Sequence, residues 1–229
     1  MATPVPALKL PKPRHAVILA HPDEESFNAA VAKAWCEAAG ASGHDTVLRD
    51  LYRLGFNPVL KPSEQPRPDR YAMSNDVAAE LAAIENADVF VLVYPVWFGG
   101  PPAILKGYID RVLGAGFDYG SIRERAHHRF MGGKQLVSIS TSGNSLQWLD
   151  EQGALISHRT VFGDYLAKAF SMARAEHLHL ANIVDNMTER HVQEELYRVT
   201  ELARAVCGAA GTEGATVREK AAVVTGVIG

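Results

Sequence analysis

The stretch VFVLVYPVWFGGPPAILKGYIDRV, residues 89–112, begins as a continuous apolar run and ends as an amphipathic pattern, with a tryptophan, a phenylalanine, two glycines and two prolines at the junction. An unbroken apolar run bounded by turn residues is the pattern of a strand buried on both faces. Pro101 and Pro102 stand where the first turn of a helix tolerates a missing N–H, so residues 104–113 read as the helix that follows. The repetition of this strand, turn and helix unit along the chain decides the fold class.

Upstream, HAVILA (15–20) is a buried-strand pattern, and SFNAAVAKAWCEAAGASG (26–43) has helical spacing that ends in glycines. DTVLRDLY (45–52) alternates as a second strand. KPSEQPRPDRYAMS (61–74) is a polar, proline-rich loop, and NDVAAELAAIENA (75–87) a helix. Downstream, KQLVSIST (134–141) is strand four, residues 147–172 read as largely helical, and AEHLHLANIV (175–184) is strand five. Residues 188–207 form a closing helix that ends at Gly208. Alternating strands and helices of this kind predict an α/β fold, a doubly wound five-stranded parallel sheet of flavodoxin-like order 2-1-3-4-5. The chain divides into an extended N-terminal arm (1–14), one domain (15–210) and a loose C-terminal tail (211–229).

Composition narrows the function classes. The 229 residues are 47% hydrophobic and 21% charged, enough to bury one core, and the net charge of −3 offers no basic footprint for nucleic acid. The longest apolar run is about half of the roughly 20 residues that a membrane span needs. Cys36 and Cys207 match no metal or redox spacing, which fits a reduced, cytoplasmic setting. The opening MATPVPALKLPKPR has four prolines and no apolar core of a signal peptide.

In a sheet of this order, ligands bind beyond the carboxyl ends of the strands, beside the switch point between strands one and three. The unusual loops sit there: HPDEESFN after strand one, PVWFGGPPA after strand three, TSGNS after strand four. The first ends at a helix N-terminus, a natural anion seat, with His21, Ser26 and Asn28 as further donors. The plainer alternative is that Ser26 only caps the helix. Trp97 and Phe98 followed by Gly99 and Gly100 offer aromatic surface next to backbone that a flat ligand can approach. They also read as aromatics packed under the next helix. Ser140, Thr141, Ser142, Gly143 and Asn144 supply N–H groups and small hydroxyls. Together the loops point to a phosphate-bearing aromatic cofactor, a flavin. No GxGxxG follows strand one, so a Rossmann-type NAD site is not expected, and the absence of a GxSxG elbow leaves little room for a serine hydrolase built on Ser142.

Four motifs in order, LAHPDEESFNAA, DLYRLGFNPVL, YPVWFGGPPAILKGYIDRVLGAGFDYG and SISTSGN, closely resemble the NAD(P)H:quinone oxidoreductase family of flavodoxin-like flavoproteins over roughly residues 16–144. The resemblance implies that His21, Ser26, Phe27 and Asn28 hold the phosphate region of the cofactor. It implies that Pro95, Val96, Trp97, Phe98 and Gly99 back or edge the isoalloxazine, and that Ser140, Thr141, Ser142 and Gly143 bond its pyrimidine side. Tyr119 matches a tyrosine that in the family reaches the partner subunit's active site. Trp97 and Phe98 sit one place earlier than the family's aromatic pair. Trp148 stands where relatives carry a substrate-side tyrosine, and His158 is only a loose counterpart of the family's nearby histidine. Trp97, Phe98, Tyr119 and Trp148 are thus the expected residues around the reacting rings.

The expected cofactor is FAD, with FMN the alternative, and NAD(P)H the co-substrate. The implied reaction passes two electrons from NAD(P)H through the flavin to a quinone-like acceptor by a ping-pong scheme in a homodimer. A flavin-bearing regulatory or docking subunit with little turnover, or an azo or nitro reductase, is the alternative.

Overall fold

The computed structural model describes residues 12–67 and 70–225, with Tyr119 and residues 210–225 described by their backbone alone. Five parallel strands form one sheet: β1 (Arg14–Leu19), β2 (Asp45–Asp50), β3 (Val89–Pro95), β4 (Gln135–Thr141) and β5 (Arg174–Leu180), in the order β2-β1-β3-β4-β5. Every residue of β3 is buried, which places it at the centre, with Ile18 of β1 opposite Leu92 and Ser138 of β4 on its other side. The expected flavodoxin-like sheet and order are what the chain forms.

One face of the sheet packs on α1 (Phe27–Ala41) and α8 (Glu189–Thr225). Val31 and Trp35 of α1 and Val199, Ala203 and Val206 of α8 meet Val17, Val91, Val93 and Ile139 there. The other face carries α2 (Asn75–Ile84), α3 (Ala103–Tyr108) with its wider-wound continuation Ile109–Leu113, and the region around Phe162, Leu166 and Phe170. Short helices α4 (Tyr119–Arg123), α5 (Leu146–Glu151), α6 (Ala154–Arg159) and α7 (Leu166–Ala169) complete the chain, with wider-wound turns at Thr160–Tyr165 between α6 and α7. Trp35 Nε1 donates to His15 Nδ1 at 3.0 Å, so the neutral His15 ring carries its hydrogen on Nε2 and donates to His44 Nδ1 at 2.9 Å.

The proline-rich connection before α2 is held by a buried ion pair. The Arg111 and Glu64 side chains are 0% and 1% exposed, and Arg111 donates to Glu64 from Nε and Nη2 at 2.7 Å each and from Nη1 to the Asn57 carbonyl. The guanidinium holds the Glu64 carboxyl down to about 2. Gly107 of α3 is required by the same connection, because a Cβ there would meet the Pro58 backbone at 2.3 Å.

Two expectations differ at the ends. Residues 1–11 of the expected arm lie outside the described residues, and β1 already begins at Arg14. The last helix does not stop at Gly208 but continues to Thr225, and residues 226–229 lie outside the described residues. A single glycine costs a helix about 1 kcal/mol, too little to end one by itself. Among the described residues no helix is long and apolar enough to cross a membrane.

Burial pushes His15, His128, His177 and His179 down from 6.5 to about 4. The folded state therefore binds fewer protons than the unfolded chain between these values. The stability these neutral rings confer is complete above about pH 6.5 and is lost as the pH falls from there toward about 4. Urea unfolding at pH 7.5, 6 and 5 is expected to give a midpoint that drops steadily through this window; a flat midpoint refutes it.

Candidate functional site

The three unusual loops emerge side by side at the carboxyl ends of β1, β3 and β4, because those strands are neighbours in the sheet. Hydrogen bonds then tie the third loop to each of the other two, and a ring contact joins the first to the second. Asn28, at the start of α1, is buried and donates from Nδ2 to Thr141 Oγ1 at 3.0 Å. Val96 N–H donates to the Thr141 carbonyl at 2.8 Å. The His21 ring lies 5.8 Å from that of Trp97. The sequence alone expects the three loops to converge, and these contacts bring them together.

In the first loop, Ser26 caps α1 by accepting the Ala29 N–H at 3.2 Å. The Phe27 and Asn28 N–H groups have no partner among the described residues, so the dipole end of α1 keeps two free donors. His21 Nδ1 accepts the Asp23 N–H at 3.1 Å, which leaves its Nε2 side open. The acidic run beside this seat turns outward: Glu24 pairs with Arg53, Asp23 accepts the Glu25 N–H, and all three acids are exposed. Phe27 packs partly against the α1–α8 core.

In the second loop, Trp97 and Gly100 exchange backbone bonds at 2.8 and 3.1 Å around Phe98 and Gly99, whose φ angles are +49° and +77°. This is the left-handed pair of a type I′ turn. Glycine adopts it freely; phenylalanine is strained there. Phe98 is fully exposed and Trp97 is 41% exposed, so neither is the core aromatic that the plainer reading allowed. His158 of α6, buried at 5% exposure, bonds the Gly99 carbonyl through Nε2 at 3.1 Å and lies over Tyr94. Burial lowers its pKa against the raising effect of that carbonyl. His158 therefore positions the turn from behind, a role that no local spacing reveals across 59 residues. Pro95 closes β3 and is buried.

In the third loop the hydroxyls are already spent on protein partners. Thr141 bonds Asn28, Ser140 Oγ lies 3.2 Å from His177 Nε2 and 2.8 Å from His179 Nδ1, and Ser142 Oγ lies 3.0 Å from His179 Nε2. What remains for a ligand edge is backbone: the exposed Gly143 and Asn144 have N–H groups without partners among the described residues. Tyr119 opens α4, and of its side chain nothing is described; Trp148, on α5, is 48% exposed. The Trp148 backbone N–H donates to Ser145 Oγ, at the end of the third loop, at 3.2 Å.

A sequence model of the family described as "Flavodoxin-like fold" matches residues 13–203. The chain is 36% identical to an NAD(P)H oxidoreductase of Haemophilus influenzae over 140 residues, covering 61% of this chain and 69% of that protein. It is 32% identical to the rat NAD(P)H dehydrogenase [quinone] 1 over 168 residues, 66% of this chain but only 58% of that enzyme's length. The solved NAD(P)H:quinone oxidoreductase from Methanothermobacter marburgensis superposes with a TM-score of 0.73 at 24% identity, covering 86% of this chain and 100% of that one. That structure shares the fold.

Phe98→Gly should raise the stability of the ligand-free protein by up to about 1 kcal/mol, since it removes left-handed strain from an exposed side chain. Urea midpoints of the two proteins measure this. A lower midpoint for the variant would mean that Phe98 makes contacts in solution that hold the turn.

Proposed function

The chain belongs to the flavodoxin-like family of NAD(P)H oxidoreductases, and from that premise we propose that it passes two electrons from NAD(P)H through a bound flavin to a quinone or similar small acceptor. The carrying observation is the convergence of an exposed aromatic, Trp97, with two sets of unpartnered backbone N–H groups, those of Phe27 and Asn28 and of Gly143 and Asn144, at one end of the sheet. A flavin needs this combination: an anion seat for its phosphate, a surface for its ring, and donors for its carbonyl edge. The residues fit. The Phe27 and Asn28 N–H groups with His21 take the phosphate region, Trp97 and the Val96–Gly99 backbone take the ring, and the Gly143 and Asn144 N–H groups take the edge. Gly99 and Gly100 have no atom within 4 Å of where a Cβ would stand, so this side is open to a flat ligand.

When bound, the flavin supplies the two-electron carrier. The chain orients and holds it: fixed N–H donors at the edge favour negative charge that builds there, at no cost of reorganisation. FAD is the proposed form, on the strength of the Ser26-Phe27-Asn28 run, with FMN the alternative. Nicotinamide and acceptor take turns on the one open ring face, the basis of the ping-pong scheme. The free thiols of Cys36 and Cys207 support a cytoplasmic setting.

The purified protein is expected to show a flavin absorbance spectrum and to release FAD on denaturation. Steady-state NAD(P)H oxidation with a simple quinone should give parallel reciprocal plots. Asn28→Ala, which cuts the tie to Thr141, should weaken flavin binding by about 1–3 kcal/mol while the fold stays intact by circular dichroism. A colourless wild-type protein overturns the reading; a flavin-loaded protein with negligible turnover favours a regulatory subunit instead; intersecting plots refute only the shared face.

The proposed assembly is a homodimer. Phe98, Trp148, Ile156, Val161 and Tyr165 are all exposed, a run of large apolar side chains on the segments beside the crevice. Light scattering at micromolar concentration should give twice the chain mass, and Ile156→Asp should shift it to the monomer. A monomeric wild type with full activity refutes this.

A further inference from the structure

Four buried or half-buried side chains on β4, β5 and the loop after β4 form an unbroken hydrogen-bonded row. His177 Nε2 lies 3.2 Å from Ser140 Oγ, Ser140 Oγ lies 2.8 Å from His179 Nδ1, and His179 Nε2 lies 3.0 Å from Ser142 Oγ. The row exists because Ser140 and His179 are register partners on adjacent strands, with His177 two residues earlier on the same face. At one end, His177 lines a cavity of about 180 Å³ with Arg159, Gly163, Asp164, Ala175 and Glu176. Arg159, Asp164 and Glu176 are exposed, so water reaches this end. At the other end, the buried Ser142 leads into the exposed Gly143–Asn144 turn, and its hydroxyl donates to the Asn144 carbonyl at 3.5 Å.

We propose that this row is a proton wire from the β5-edge cavity to the crevice, delivering the proton that the proposed reaction consumes. It rests on the flavin oxidoreductase reading above. Reduction of a quinone by NAD(P)H takes one hydride from NAD(P)H and one proton from water, giving NAD(P)⁺ and hydroquinone. Ser140 has a single hydroxyl hydrogen between two imidazole nitrogens, so it must donate to one ring and accept from the other. The tautomers of the two rings are therefore coupled.

In one polarity, His177 Nε2–H donates to Ser140, Ser140 to His179 Nδ1, His179 Nε2–H to Ser142, and the Ser142 hydrogen goes to the Asn144 carbonyl of the crevice turn, 3.5 Å away. A proton arriving from the cavity at His177 Nδ1 releases Nε2–H to Ser140, whose hydrogen passes to His179 Nδ1. The Nε2–H of His179 then passes to Ser142, and the Ser142 hydrogen leaves. One proton enters, one leaves, and every group ends neutral in the opposite polarity. Neutral rings are what such a row requires. Burial holds both histidines down to about 4, helped at His177 by His158 and Arg159 against Asp164, and at His179 by His177, His158 and Arg198, which pairs with Glu195. The neighbouring Ser138 is outside the row, since its hydroxyl donates to the Phe162 carbonyl at 2.9 Å.

The test uses ¹⁵N-histidine-labelled full-length protein, with and without its cofactor, in the wild type and in Ser140→Ala, Ser140→Thr and Ser138→Ala. Expected in the wild type are ring-nitrogen shifts of His177 and His179 midway between protonated and bare values. Ser140→Ala should lock each ring into one tautomer, lower kcat at least about tenfold and raise the solvent isotope effect, while Ser140→Thr restores all three. Ser138→Ala should leave them unchanged. Two fixed tautomers in the wild type, or a Ser140→Ala protein whose kcat and isotope effect match the wild type, overturn the wire. A wild type that binds no flavin is recognised separately by its absorbance and removes the function reading; the ring shifts still decide whether the row relays.

Discussion

The complete burial of β3 is the constraint from which the rest follows. A strand with no exposed residue must be covered on both faces and flanked on both edges, so β1 and β4 lie beside it, with α1 and α8 on one face and α2 and α3 on the other. Parallel neighbours send all their carboxyl ends the same way. Three loops that are far apart in the chain are thereby delivered to one rim before any side chain within them makes a contact.

What the sheet brings near, a few polar bonds hold. The Asn28–Thr141 bond and the Val96–Thr141 backbone bond are short and buried at the rim, and His158 fixes the Gly99 carbonyl from behind. The stiffness lets Phe98 stay in a left-handed turn fully exposed to water, a state costing about 1–2 kcal/mol and giving no burial in return. Far from the rim, the Arg111–Glu64 pair performs the matching service for the proline-rich connection. Breaking it would strand a buried charge at a cost of about 3–5 kcal/mol.

Polar burial in this molecule concentrates in neutral histidines. His15 sits between Trp35 and His44 at the amino end of β1, while His177 and His179 face Ser140 on β4. Each is a satisfied group that opposes protonation, so the fold is tuned to neutral pH, and the second set runs from the cavity beside β5 toward the loop after β4.

Periodicity and turn residues were enough to determine the strands, their order and the three loops, because buried strands, caps and glycine-proline turns are local in cause. The α1 start at Ser26 and the β3 core are legible in this way from residues within a few positions of each other. The end of the last helix expected at Gly208 is not where the chain stops it, since one glycine is a weak local signal against a continuing helix. The roles of the site side chains were decided by tertiary structure alone. The Ser140, Thr141 and Ser142 hydroxyls read as ligand donors in sequence, yet their partners, His177, His179 and Asn28, stand on other elements and claim them first. The sequence could name polar groups at the rim; which stay free for a ligand depends on contacts spanning up to 113 residues, and these exist only once the sheet has closed.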